Sequence, residues 1–355
     1  MELSTVEYDP VRTPYEVDDV EFPRAGSFQE QAEYLLRYVI LAPSTHNAQP
    51  WKFAVNENGI EIYADYGRRL PTADPGNREL IMSIGAALFN LRVAAAHFGF
   101  QCHVEYDHSG TSDVPMVMVA LSRISPNAES DPDVESLVSA IPLRHTNRHP
   151  FLVSRVPRSA LDVFHTIERG GQSTLFVSAD GKLNERVADL VAEADRLQLS
   201  DPAFRKDVAE WIRPNNTARY DGIQSVNLGM KSMPSMLAPW AARVLDLGRL
   251  RAARDRNLCI DAPALLVVVS EDSVPHWLES GELLERVLLT IVHEGLQYSY
   301  FNMPIQVPEL RLELRKVLGL SAWPQVLLRV GYCLTEPTPT PRRPVEDVLF
   351  KQHIV

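Results

Sequence analysis

The first regular rhythm in the chain begins at Ser27, where SFQEQAEYLLRYVILA spaces its apolar residues three and four apart up to Pro43. Ser27 with Glu30 three positions later forms a capping box, in which each residue satisfies a backbone N–H left open by the first turn, so a helix is predicted there. Residues 1–26 mix proline with acidic residues and show no apolar periodicity, and they read as an extended arm or surface wrap. After Pro50 the period shortens. WKFAVNENGIEIYAD holds two strand-like runs on either side of Asn58-Gly59, a hairpin signal. RELIMSIGAALFNLRVAAAHFG follows, apolar on nearly all faces and ending near Gly99; a helix with so little polar surface belongs in the core. HVEYD and VPMVMVALSR then read as strands, the second apolar enough to lie inside a sheet.

Part of this order recurs. Gly85 and Gly281 each open a helical run, Gly99 and Gly295 each end one, and His97 and His293 hold the same relative place, always 196 residues apart. The strand after Pro115 matches the one after Pro324 at an offset of 209, and the 13 extra residues belong to PIQVPELRLELRKVLG, an inserted loop and helix. Between the repeats, residues 184–255 change character: a helical NERVADLVAEADRL precedes the Pro-, Met- and Asn-rich WIRPNNTARYDGIQSVNLGMKSMPSMLAPW. Such a stretch suits either a plain surface excursion or a cover over a flat ligand.

Composition narrows the field. A chain of 355 residues, 45% hydrophobic, can bury the core of two domains or one duplicated domain. Its 35 basic and 46 acidic residues leave a net charge of −11, and no basic block suggests a nucleic-acid surface. Cys102, Cys259 and Cys333 lie far apart, so neither a disulfide framework nor a zinc site is expected, and a cytoplasmic setting is. The N-terminus lacks an apolar signal region and no uninterrupted apolar run reaches about 18 residues, so neither export nor membrane insertion is expected. HExxH, GxSxG and GxxxxGK[ST] do not occur, and His97 and His293 read as core or helix-end residues. No catalytic side chain and no metal ligand is predicted.

Two short motifs carry the candidate chemistry. Ala42-Pro43-Ser44-Thr45-His46-Asn47-Ala48-Gln49-Pro50-Trp51 packs donors and acceptors into a Pro-bounded loop between helix and strand, suited to a polar ring edge. Taken alone, such a loop reads first as a capped turn bonding its own backbone. Arg144-His145-Thr146-Asn147-Arg148 sets two guanidinium groups four residues apart with a hydroxyl between them. That makes either a fork for a phosphate-like anion or a surface salt-bridge cluster.

APSTHNAQPW resembles the Pro-Ser-Ser-x-Asn-x-Gln-Pro-Trp loop of the FMN-dependent nitroreductase family, and RHTNR resembles that family's opening Arg-x-Ser-x-Arg/Lys motif. In that family the first motif of one subunit and the second of its partner meet around one FMN. Here both stand in one chain, in reversed order and one per half. With the internal repeat, this is similar to the family's fused, single-chain branch typified by the mycobacterial Acg proteins, over most of residues 27–350.

The resemblance implies an α+β fold duplicated within one chain, each half a mostly antiparallel sheet with packed helices. The arm would be 1–26, the first half 27–143, and the second half 144–355 with a lid segment at about 213–240. It implies FMN as cofactor and NAD(P)H as possible reductant. Arg144 and Thr146 would hold the phosphate, Arg148 would lie near the pyrimidine edge, and Ser44, Thr45 and Asn47 would contact the flavin with Gln49 supporting their loop. Arg342 and Arg343 would reach back to the phosphate, and Asn302 would stand beside the reactive face. The implied function is reduction of a nitroaromatic, quinone or similar small acceptor. The alternative is a flavin-sequestering or sensing protein with little turnover. A small-molecule acceptor is the expected partner, with neither nucleic acid nor membrane, and the chain is expected as a monomer or weak homodimer.

Overall fold

The computed structural model describes residues 9, 11–107, 111, 113–125, 132–167, 171–229 and 235–350. The capping box forms as expected: Ser27 Oγ accepts the Glu30 N–H at 3.2 Å, Glu30 Oε2 accepts the Ser27 N–H at 2.7 Å, and the helix Phe28–Val39 follows. Strands β1 (Trp51–Val55), β2 (Gly59–Ala64), β3 (Phe100–Tyr106) and β4 (Val117–Arg123) make an antiparallel sheet in the order β1-β2-β4-β3. The turn between β1 and β2 is 56–58, one step earlier than the Asn58-Gly59 signal placed it, because Asn56 Oδ1 accepts the N–H groups of Asn58 and Gly59 at 3.0 and 2.9 Å. Gly59 already pairs with Ala120, and a Cβ there would run into the Val119 carbonyl; its role is close approach, not turning.

The second sheet repeats the plan. Strand β5 (Thr174–Ser178) comes first, then a short parallel pair, β6 (Ile212–Arg213) with β7 (Ile223–Gln224), then β8 (Ala264–Ser270), β9 (Gln297–Tyr300) and β10 (Trp323–Gly331). Its order is β5-β8-β10-β9, antiparallel throughout. In both sheets a long helix follows the second strand, and the last strand slots between the second and third.

Those two helices, Arg78–His97 and Val274–His293, begin 196 residues apart and cross each other at the centre of the molecule. Gly85 and Gly281, which the patterning put at the helix openings, lie instead within the helices, at the crossing. A Cβ on Gly85 would strike the Leu278 carbonyl oxygen, and one on Gly281 would strike that of Met82. Position 278 is position 82 shifted by the same 196, so the contact is self-complementary, as at a two-fold dimer interface, within a single chain. Side chains pass across the crossing: Met82 packs into the core of the second half, and Leu278 and Leu289 into that of the first, all three buried, each contributing roughly 1.5–3 kcal/mol. Left-handed glycines, Gly99 at φ +80° and Gly295 at φ +69°, close the two helices as expected. Arg78–His97 is long and apolar enough to cross a membrane, and 78% of its most apolar window is buried inside the protein.

The halves differ in what joins their first two strands. Three residues suffice between β1 and β2, whereas residues 179–263 separate β5 from β8. This insertion contains helices Gly181–Ser200, Pro202–Ala209, Ala238–Val244 and Gly248–Ile260. A smaller insertion, helices Met303–Gln306 and Pro308–Leu318, accounts for the longer second repeat. Both ends of the chain tie the halves together. Phe350 N donates to Phe53 O at 2.9 Å on β1, and in the arm Tyr15 Oη donates to Thr340 O at 2.8 Å while Phe22 stacks on Phe98.

A candidate cofactor site between the halves

The loop between Phe28–Val39 and β1 turns back within a few residues, and it does so through left-handed backbone: φ is +53° at His46, +56° at Asn47 and +52° at Gln49. Each such residue costs about 1 kcal/mol or more where a Cβ is present, so the conformation persists only if neighbours over-determine it. They do. Ser44 Oγ accepts the Gln49 N–H at 2.9 Å, and Asn47 Nδ2 donates to Gly222 O at 3.1 Å and Pro341 O at 2.8 Å. Asn47 Oδ1 accepts from Arg342 Nη1 at 2.9 Å.

Arg144 locks into this frame from the other half. Its Nη1 donates to the Tyr298 hydroxyl at 2.6 Å, its Nη2 donates to Leu41 O at 2.8 Å, and Nε lies 3.4 Å from Glu285 Oε1. Arg342 Nη2 reaches the same Leu41 carbonyl at 3.2 Å. Burial pushes the Glu285 carboxyl up to about 7 against the pull of Arg144 and Arg342.

Arg148 is placed differently. Its guanidinium has no carboxylate within ion-pair distance among the described residues, and burial followed by the Arg251 guanidinium lowers it to about 10. His145 sits edge-on to Tyr15 at 4.7 Å and is lowered to about 3 by burial, Arg144 and Arg342. His46 is lowered to about 4 by burial, Arg251 and Arg148. Both histidines are therefore neutral at pH 7, and the positive charge of the site resides on arginine.

These pieces enclose a cavity of about 230 Å³. Ser44, Thr45 and Asn47 line it from the first half; Arg144, Thr146, Arg148, Asn302 and Arg342 line it from the second. Two expected site residues stand behind the wall instead. Gln49 is fully buried, its Nε2 donating to Tyr220 O at 2.7 Å and its Oε1 accepting the Arg343 N–H at 2.8 Å. Arg343 turns its side chain to Asp347 O at 2.7 Å. Thr45 and Asn302 line the cavity with partners of their own: Thr45 Oγ1 donates to Glu79 Oε2 at 2.7 Å, and Asn302 Oδ1 accepts the Leu327 N–H at 3.0 Å.

The sequence reading missed four residues of the site, Glu79, Tyr298, Asp195 and Arg251. Glu79 stands at the start of the helix Arg78–His97 and Arg251 belongs to the basic run RLRAARDR, but neither pattern says which cavity it faces. With Arg144, Arg148, Arg251 and Arg342 against Glu79 and Asp195, the lining is cationic and suits a ligand bearing an anion.

Part of the expected lid segment covers this loop. Gly222 N donates to Asn47 O at 3.2 Å, Arg68 Nη2 pairs with Asp221 at 2.5 Å, and Ile223 and Leu228 line the cavity. Residues 230–234 of that segment lie outside the described residues.

No family model matches the sequence. Over 337 residues, 93% of each chain, the protein is 29% identical to the Mycobacterium tuberculosis protein named Putative NAD(P)H nitroreductase Rv3131. It is 27% identical to that organism's Putative NAD(P)H nitroreductase acg, over 86% of this chain and 91% of the relative. Among solved structures, the FMN and NADPH-dependent nitroreductase NfnB from sphigopyxis sp. strain HMH is 18% identical, with a TM-score of 0.42, and the match covers 61% of this chain and 99% of that one. The likeness to the nitroreductase relatives, Acg among them, runs nearly end to end and shows the resemblance that the two motifs carry.

Proposed function

We propose that this protein binds one FMN in the cavity between its halves and acts as an NAD(P)H-dependent oxidoreductase on a small acceptor, a nitroaromatic or quinone. One observation carries this reading: the Ser44–Asn47 loop of the first half and the Arg144–Arg148 motif of the second line the same cavity, where the Arg148 guanidinium has no ion-pair partner among the described residues. The names of the curated relatives support the reaction class.

The residues fit such a cofactor. The half-buried Arg148 guanidinium, disfavoured by burial and by Arg251, would be relieved by an anionic ring edge or phosphate. Arg144, Thr146 and Arg342 would hold the phosphate end, while Arg148 would favour negative charge at the pyrimidine edge. Ser44, Thr45 and Asn47 would set the plane of the ring, with Gln49 and Arg343 bracing their loop from behind. Bound FMN would supply the two-electron chemistry, taking hydride from NAD(P)H and passing electrons to the acceptor. No protein nucleophile is required.

Titration of stripped protein with FMN, followed by flavin fluorescence quenching, tests the first step. Saturable quenching at one FMN per chain is expected, and Arg148→Ala should weaken it at least tenfold while the protein stays folded. A stripped, folded protein that takes up no FMN overturns the reading.

A flavin-sequestering role is favoured by one feature: Asn47 and Gln49 donate to the carbonyls of Gly222 and Tyr220, and Gly222 N donates to Asn47 O, which holds against the cavity the segment whose Ile223 and Leu228 line it. Anaerobic addition of NADPH separates the two. Rapid bleaching of the flavin marks the reductase; a flavin that stays oxidised marks the sequestering protein.

A further inference from the structure

Beside the first cavity lies a second chamber of about 330 Å³, and the two share Arg148, Leu199, Ile212, Leu228 and Tyr300 as a common wall. Its outer wall is the insertion unique to the second half: Ala238, Ala241, Leu245 and Leu250 come from or border the helices Ala238–Val244 and Gly248–Ile260. Its rim is apolar and open to water, with Leu245 43%, Leu247 41% and Leu250 72% exposed. Apolar side chains grouped at a cavity mouth favour entry of an apolar body.

The charge inside has the opposite character to the protein as a whole. Among the described residues, five arginines, Arg148, Arg205, Arg251, Arg254 and Arg329, line the chamber against one carboxylate, Asp255, in a chain whose net charge is −11. Asp255 is already 3.4 Å from Arg251 Nε. Arg329 is the most telling. It is 1% exposed, and its Nη2 donates to His149 O at 2.9 Å, yet its Nε and Nη1 have no hydrogen-bond partner among the described residues. The group lies 3.9 Å from the centroid of Phe151, held by a ring face rather than by a carboxylate. Burial, with Arg254 adding to it, lowers Arg329 to about 10, and Arg254 also lowers Arg148. The two unpaired nitrogens lie on opposite edges of the guanidinium, so each can take one acceptor oxygen, and a carboxylate would relieve the crowded cations.

We infer that this chamber binds an amphipathic anion, an apolar aromatic body carrying a carboxylate, and that this is the class of acceptor delivered to the neighbouring cavity. The carboxylate sits between Arg329 and Arg254, and the apolar body lies along the Ala241 and Leu245 wall. The link to an acceptor rests on the function proposed above; the binding itself does not.

Calorimetric titration of the purified protein with para-nitrobenzoate and with para-nitrobenzamide, its neutral counterpart of the same shape, tests the inference. Flavin content is read from the absorption spectrum of each sample. The acid should bind at least tenfold more tightly than the amide. Arg254→Ala should bring the acid to the level of the amide without changing flavin content or amide affinity, and Arg329→Met should do the same. Ala241→Phe, which fills the chamber, should weaken both ligands. Equal affinity for acid and amide in the unaltered protein overturns the inference, as does a preference that survives Arg254→Ala, which decides alone if Arg329→Met fails to fold. A protein that holds no FMN yet prefers the acid sinks the reductase reading and leaves the anion chamber standing.

Discussion

At the crossing of the two long helices, Gly85 meets Leu278 and Gly281 meets Met82, so each half does to the other what is done to it. At the cavity the halves are unlike: one supplies a strained loop, the other a pair of arginines and an insertion that folds over the loop. Symmetry persists where the requirement is close packing, which two copies of one helix meet equally well. It is gone where the requirement is chemical: the two halves contribute unlike parts to the cavity between them. Within the asymmetric region a second division appears. Arg144 and Arg342 bond Tyr298, Leu41 and Asn47 and so also hold the halves together, whereas Arg148 has no ion-pair partner among the described residues.

The largest expected effect breaks the asymmetric side. Arg144→Ala leaves Glu285 buried without its ion-pair partner and should destabilise the protein by about 3–5 kcal/mol in urea unfolding. Glu285→Gln in the same background should recover part of that loss by removing the stranded charge. Arg148→Ala removes a guanidinium with no ion-pair partner among the described residues and should not destabilise the protein. Similar losses at the two arginines would erase the distinction between framing the site and facing its ligand.

Next in size is the symmetric side. Gly85→Ala and Gly281→Ala each drive a methyl group into a backbone carbonyl of the partner helix, an overpacking cost of about 1–3 kcal/mol, offset in part by roughly 0.5–1 kcal/mol of better helix propensity. Because the two collisions are related by the 196-residue repeat, the shifts in urea midpoint should match each other. If one alanine is tolerated and the other is not, the crossing is not the self-complementary contact its geometry indicates.

The difference between the regions also explains what could be read in advance. The capping box at Ser27, the apolar helix before Gly99 and the central position of β4 all follow from local pattern, and the structure has each of them. Gly85 and Gly281 were visible as a repeated pair, but a glycine's position along a helix does not reveal that another backbone will press on it. Their role was misread as helix opening, and Gly59 was misread as a turn residue for the same reason. At the site, both motifs were legible because each is a dense local cluster of donors. Arg251 and Asp195 were not, since they come from an insertion whose fold over the cavity depends on contacts across the whole chain.

The smallest effect concerns protons. Burial, Arg144 and Arg342 hold His145 at about 3, below the ordinary histidine value of 6.5, so between those values the unfolded chain binds more protons than the folded one. The stability this group contributes is complete above pH 6.5 and is lost as pH falls through the window, by at most about 1.4 kcal/mol per pH unit. Glu285, raised to about 7, acts in the opposite sense: the folded state holds its proton more firmly, so its contribution is lost as pH rises between about 4.5 and 7. The two partly cancel in the parent protein, which makes the difference from a variant the informative quantity. His145→Phe keeps a ring against Tyr15 and removes the histidine proton. Relative to the parent, it should gain stability steadily as pH falls from 6.5 to 4.5, measured by urea unfolding at each pH. Gly85→Ala, which touches no titrating group, should lower the whole curve without changing its slope. Parallel curves for parent and His145→Phe would mean that the arginines of the site exert no hold on this histidine, and the electrostatic half of the contrast between crossing and cavity would fail.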